Sequence, residues 1–147
     1  ETVRRISKDL LPASLEKFGL VEALKEFCEK VSSPSTKVVF EQTLSAYDFP
    51  SEEQLPVYRL VQEIVNNALK HASARVIIVQ LELKDGLKLD VSDDGIGFNV
   101  EEIKNEINKG VGLYNIENRV NMLGGQVELI SEPGKGTSYQ IRIDSNE

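Results

Sequence analysis

The sequence predicts an α/β (α+β) two-layer sandwich, a mixed sheet covered on one face by helices. Three observations carry this. Helical and strand periodicities follow one another as helices, a strand, a long helix and then pairs of strands, which does not fit a doubly wound βαβ repeat. The helical segments are apolar on one side only. Strand pairs flank turn signals at Asp85-Gly86 and at Glu132 to Gly136, which marks hairpins.

Val3, Ile6, Leu10 and Leu11 have helical spacing, and Pro12 interrupts it. Leu20, Leu24, Phe27, Cys28 and Val31 predict an amphipathic helix starting after Gly19. Ser32 to Ser35 is a loop, and Lys37 to Gln42 a β-branched strand. Ser51, with Gln54 three residues on, reads as the N-cap of a helix running to about Ala72. Arg75 to Lys84 and Leu87 to Asp93 are the first strand pair. Asn99 to Lys109 is charged, lacks a strong cap and is expected to be loosely structured. Val111 to Leu123 is helical, with Gly110 and Gly112 at its opening and Gly124-Gly125 at its end. Gln126 to Ser131 and Ser138 to Ile143 form the last hairpin.

The 147 residues fit one domain, and 40% apolar residues suffice for one core. A net charge of −7 argues against nucleic acid or an anionic membrane as partner. Cys28 is the sole cysteine, so no internal disulfide can form and a reducing, cytoplasmic setting is expected. No long apolar run or signal-peptide pattern occurs. The charged opening from Glu1 to Asp9 reads as the middle of a longer chain, whose remainder is free to carry a membrane anchor.

On the Ser51–Ala72 helix, Leu60, Val61, Ile64, Val65, Ala68 and Leu69 form the apolar side. Glu63, Asn67 and Lys70 fall within an arc of roughly 60° opposite it, with His71 at the boundary. Most such rows are solvated helix faces. The alternative is a metal–phosphate site, since Mg²⁺ takes hard oxygen donors and few protein ligands.

In the strand ending at Asp93, alternation puts Asp93 in phase with Leu87, Leu89 and Val91, and Asp94 on the other face. An inward carboxylate needs a partner. The exocyclic amine of a purine is one, and a local turn at Gly95 is another. Thr137, in phase with Tyr139, Ile141 and Ile143, aims its hydroxyl at the same interior and can support Asp93 directly or through water. The pairs Gly95/Gly97 and Gly110/Gly112 permit tight turns or close approach to a ligand. A glycine turn opening a helix also suits phosphate. Gly134 and Gly136 read as a hairpin loop, and no Walker-type or dinucleotide fingerprint is present.

Together these segments follow a known order. The run Glu63-Ile64-Val65-Asn66-Asn67-Ala68-Leu69-Lys70-His71 resembles the N box of the ATPase superfamily of gyrase B, Hsp90, MutL and histidine kinases. Asp93-Asp94-Gly95-Ile96-Gly97-Phe98 resembles its first glycine box, Gly110-Val111-Gly112-Leu113 the second, and Gly134-Lys135-Gly136-Thr137 the last. Leu11-Pro12, Leu15, Gly19-Leu20, Ala23-Leu24, the stretch from Gly112 to Val120 and Leu123-Gly124-Gly125 look like sensor histidine kinases of the nitrate-sensor and desaturase-sensor type.

The resemblance implies the Bergerat fold, with ATP and Mg²⁺ held between the central helix and a short lid, Phe98 to Lys109, that lacks a clear F box. It implies Asn67 as Mg²⁺ ligand, Asp93 on the adenine amine, and Lys70 and His71 on phosphates. Gly95 and Gly97 would shape the base pocket, Gly110 and Gly112 the lid hinge, and Thr137 would support Asp93. Phe98, Lys109, Val111 and Leu113 would complete the nucleotide site. Glu63 departs from the asparagine that many histidine kinases carry. Its implied role is either to orient or deprotonate the acceptor, or to assist Asn67 at the metal.

The resemblance further implies that residues 1–12 are the end of a second dimerisation helix and 13–147 the catalytic domain. The partners would be a histidine-bearing dimerisation domain and a response regulator receiver domain. His71 is the only histidine and lies in the N box, so the chain is expected to be monomeric and unable to phosphorylate itself. A serine kinase of the anti-sigma-factor type and a non-catalytic nucleotide-binding or docking module are the competing readings.

Overall fold

The computed structural model describes residues 12–44, 51–83, 86–104 and 107–144. Two short helices lead in, α1 (Ala13–Phe18) and α2 (Leu20–Val31). Strand β1 (Lys37–Leu44) follows, then the long helix α3 (Gln54–His71) and the pair β2 (Val76–Leu83) and β3 (Gly86–Asp93). Helices α4 (Val100–Lys104) and α5 (Ile107–Met122) precede the hairpin β4 (Gln126–Ser131) and β5 (Thr137–Asp144). The expected helix over residues 3–11 lies outside the described residues.

The strands form one five-stranded sheet in the order β1-β2-β3-β5-β4. β1 runs parallel to β2, and every other pair is antiparallel. The sheet is mixed, as the sequence predicts. Helix α2 packs on β1, α3 over β3, and α5 beside α3 over β4, so the helices form one layer on one face. Alternation explains which residues meet them. Ile77, Val79, Leu81 and Leu83 of β2, Leu87, Leu89 and Val91 of β3, and Tyr139, Ile141 and Ile143 of β5 are all buried. Glu41, Gln80, Asp90, Gln140 and Glu128 line up across the opposite, open face.

Helix α3 is the keel of this layer. Val57, Leu60, Val61, Ile64 and Val65 recur at helical spacing and are at most 2% exposed. Each such side chain contributes roughly 1.5–3 kcal/mol through burial. Pro56 falls in the first turn of the helix, where its missing N–H has no intrahelical partner to lose. The helix opens differently from the sequence expectation. Ser51 starts a 3₁₀ turn, Ser51–Glu53, and Glu53 occupies the N-cap without a side-chain cap bond. The tighter turn displaces the capping box from the helix start.

Two further expectations are corrected. Val100–Lys104, just after Asn99, is helical, because Asn99 caps it: its Oδ1 accepts the Glu102 N–H at 3.0 Å, and its carbonyl accepts that of Ile103 at 3.1 Å. Helix α5 begins at Ile107, so Gly110 and Gly112 sit inside it instead of forming a turn before it. A helical glycine is only about 1 kcal/mol worse than alanine. The helix anchored by buried Leu113, Ile116 and Val120 therefore continues backwards through both. Its end agrees with expectation. Gly124, at φ 72°, donates to Asn121 O, and Gly125 donates to Val120 O, a Schellman closure.

Candidate functional site

The site forms where the inner end of β3 meets the last turns of α3 and the β4–β5 loop. The chain leaving β3 is pinned on both sides through Ile96. Its N–H donates to the Ala72 carbonyl at the end of α3 at 2.8 Å, and its carbonyl accepts the Gly134 N–H at 2.6 Å. The segment following Asp93 is thereby fixed against the helix end that carries Lys70 and His71, one turn beyond Asn67.

Close backbone approach explains the glycines here. A Cβ at Gly95 would stand 2.1 Å from the Ala72 carbonyl oxygen. At Gly97, with φ +64°, a Cβ would stand 2.0 Å from the Glu132 carbonyl oxygen. Gly95 and Gly97 are thus the residues that let three pieces of backbone converge, which is what shaping a pocket requires.

Asp93 is half-buried on the inner face, as its phase predicts. One carboxylate oxygen accepts the Gly95 N–H at 2.8 Å, and the backbone of Thr137, its partner across β3 and β5, also favours the ionised form. Burial raises its pKa, and these two backbone donors only partly counter that. The Thr137 hydroxyl, expected to support Asp93, is engaged elsewhere: it lies 2.8 Å from Ser131 Oγ. Support from Thr137 comes through its main chain. Asp94, on the other face, accepts the N–H groups of Arg75 at 2.8 Å and Val76 at 3.0 Å, which hold its carboxyl below the usual range.

Glu63 and Asn67, one turn apart on α3, are both partly buried, and Lys70 and His71 are exposed in its last turn. The Lys70 cation there also suits the negative end of the helix dipole. Among the described residues no group of three or more histidine, cysteine or acidic side chains could hold a metal. Mg²⁺ keeps several waters and takes one or two protein oxygens plus phosphate, and the side chains of Asn67 and Glu63 carry oxygens of that kind. Phe98 is partly buried, and its N–H donates to Ser131 Oγ at 2.9 Å. Leu113 is buried in α5, and Lys109, Gly110, Val111 and Gly112 form the opening turns of that helix.

Three residues here were not singled out for the site by the sequence. Ser131 joins Phe98, Gly136 and Thr137. Tyr139 is buried, and that burial, reinforced by the negative charges of Asp93, Glu117 and Glu63, pushes its phenol well above its ordinary value. Ile96 leaves its side chain 58% exposed in the pinned segment.

Residues 52–147 match the family described as histidine kinase-, DNA gyrase B- and HSP90-like ATPase. The chain belongs to this family. It is an ATP-binding domain homologous to sensor histidine kinases. The oxygen sensor histidine kinase NreB of Staphylococcus carnosus is 30% identical over 97% of this chain and 41% of its own length. The histidine-protein kinase/phosphatase DegS of Bacillus subtilis is 34% identical over 90% of this chain and 36% of its own. The chain thus spans well under half of these relatives. Among solved structures, the histidine kinase domain of the blue-light activated kinase EL346 from Erythrobacter litoralis is 27% identical. It has a TM-score of 0.56, covering 84% of this chain and 57% of that one. No helix among the described residues is long and apolar enough to cross a membrane.

Proposed function

We propose that this ATPase-family domain binds ATP with Mg²⁺ and donates the γ-phosphoryl group to a histidine on the dimerisation domain of a sensor histidine kinase. The observation that carries the reading is the pinning of the Asp93 segment onto the end of α3, through Ile96 N–H to Ala72 O at 2.8 Å. It joins a half-buried acceptor for a base to a helix bearing Glu63, Asn67, Lys70 and His71.

In this reading Asp93 accepts a hydrogen bond from the adenine amine, and Gly95, Gly97 and Phe98 wall the base. Asn67, with Glu63 beside it, holds Mg²⁺, which would neutralise charge on the phosphates. Lys70 and His71 contact phosphate oxygens, and Lys109, Gly110, Val111, Gly112 and Leu113 close over them. The acceptor imidazole nitrogen bonds to the γ-phosphorus as the bond to the β,γ-bridging oxygen breaks, and ADP leaves. Glu63 orients that imidazole or takes its proton. Residues 1–12 are assigned to the end of a dimerisation helix and 13–147 to the catalytic domain. A receiver domain is the next acceptor. His71, the only histidine, is committed to the nucleotide side.

Calorimetric titration with ATP, with and without Mg²⁺, tests the site. Saturable binding strengthened by Mg²⁺, with that strengthening lost in Asn67→Ala, is expected; no binding at millimolar ATP to the folded chain refutes it. Supplying the dimerisation domain of a homologous kinase in trans tests the transfer. Acid-labile label on its histidine is expected, and acid-stable label on serine points to the anti-sigma-factor type.

A further inference from the structure

Ser131 ends β4 where the chain leaving β3 meets the start of β5. Its Oγ is 2.9 Å from the Phe98 amide nitrogen, 3.1 Å from the Gly136 carbonyl oxygen and 2.8 Å from Thr137 Oγ1. Register makes this a straight line across the sheet, because Ser131 pairs with Thr137 and Thr137 with Asp93.

Valence fixes the direction of each bond. The Phe98 N–H can only donate, so Ser131 Oγ accepts from it. The Gly136 carbonyl can only accept, and a serine has one proton to give. Satisfying that carbonyl leaves Ser131 nothing to donate to Thr137, so the Thr137 hydroxyl donates to Ser131. Thr137 Oγ1 then has only lone pairs left. Beside it, the ionised Asp93 carboxylate is also acceptor-only, with the Gly95 backbone donor already in place.

We propose that Ser131 is a specificity-determining positioning residue: by orienting the Thr137 hydroxyl it makes the base-binding edge acceptor-only, so that the site selects 6-aminopurine over 6-oxopurine nucleotides. The inference rests on the adenine reading of Asp93. An exocyclic amine meets matching acceptors there. A 6-oxo group meets acceptors with no proton between them, and sites built for a donor reject an analogue that lacks it. Without Ser131, the Thr137 proton has no fixed recipient, and the hydroxyl can turn to donate to a 6-oxo group.

The test is calorimetric titration of the chain with ADP and with inosine diphosphate, both with Mg²⁺, read as the ratio of the two affinities. The parent chain is expected to favour ADP, and Ser131→Ala to cut that preference about tenfold, the worth of one hydrogen bond. Ser131→Thr, which keeps the hydroxyl, should restore it. In a Thr137→Val background, Ser131→Ala should leave the ratio unchanged, because the hydroxyl it orients is gone. If Ser131→Ala does not fold, Ser131→Cys, with its weakly hydrogen-bonding thiol, should show the same fall. An equal loss of both affinities, or an unchanged ratio, overturns the role of Ser131 while leaving the ADP site standing. A parent chain that binds both equally also overturns it. A parent chain that binds neither overturns the nucleotide reading along with it.

Discussion

Asp93 and Asp94 are neighbours in the chain, one half-buried and the other exposed. Asp94 accepts two backbone N–H groups, from Arg75 and Val76, at the start of β2. Asp93 accepts one from Gly95 at 2.8 Å on the helix-covered side, where burial raises its pKa. One carboxylate ties the fold together, and the other is held ready at some cost to it.

For Asp93 the sign runs against stability. Its folded pKa is raised, so the folded chain binds the proton more tightly than the unfolded chain does, and stability falls as pH rises from the unfolded value through the raised one. Nucleotide binding runs the other way, because the amine needs the ionised acceptor. ADP affinity should weaken on acidification at a pH above the ordinary carboxylate range. Asp93→Asn should melt no lower than the parent at pH 7 yet lose ADP affinity by at least about tenfold, as melting curves and calorimetry will show. Unchanged affinity would sink the adenine assignment.

Asp94 is the mirror case. Its folded pKa is lowered, so its contribution to stability is present above the unfolded value and is lost as pH falls through the lowered one. Asp94→Asn should lower Tm at pH 7 and flatten the acid limb of the Tm–pH curve, with a smaller effect on ADP affinity than Asp93→Asn.

The glycines separate close approach from turn geometry. Gly95→Ala drives a Cβ to 2.1 Å from backbone oxygen and should cost about 3 kcal/mol or more. Gly134→Ala has open space at φ +83° and should cost about 1 kcal/mol. Urea denaturation of both would reveal the difference; equal costs would mean that the contact at Ala72 yields easily.

The opening of α5 makes a fourth prediction. If the turns holding Gly110 and Gly112 must unwind around phosphates, then replacing both with alanine stabilises the helix by about 1 kcal/mol each and weakens ATP binding by a similar free energy. A raised Tm with undiminished affinity would show that nucleotide accepts the helix as it stands.

Much of this was legible in the chain. The apolar positions of α2 and α3 and the alternation of β3 located the core and put Asp93 on the inner face. Gly124-Gly125 marked the end of α5. Its beginning was hidden, because glycine reads as a breaker locally while packing at Leu113, Ile116 and Val120 carries the helix past it. Ser51 looked like a cap, but a 3₁₀ turn came first. Ser131 had no periodicity or motif of its own: its partners are Phe98, from the chain leaving β3, and the adjacent Gly136 and Thr137, from the start of β5, so only tertiary structure assembles them. Tyr139 read as one more core position, and the charges that act on it come from α3, β3 and α5.

Cys28 lies in α2, 1% exposed, with burial and Glu29 pushing its thiol up to about 12. Thiolate is the reactive form, so the folded chain withholds both access and nucleophile. The sole cysteine is therefore a clock sealed inside the protein. The rate at which a thiol reagent finds it counts how often α2 lifts from the core, with no label added.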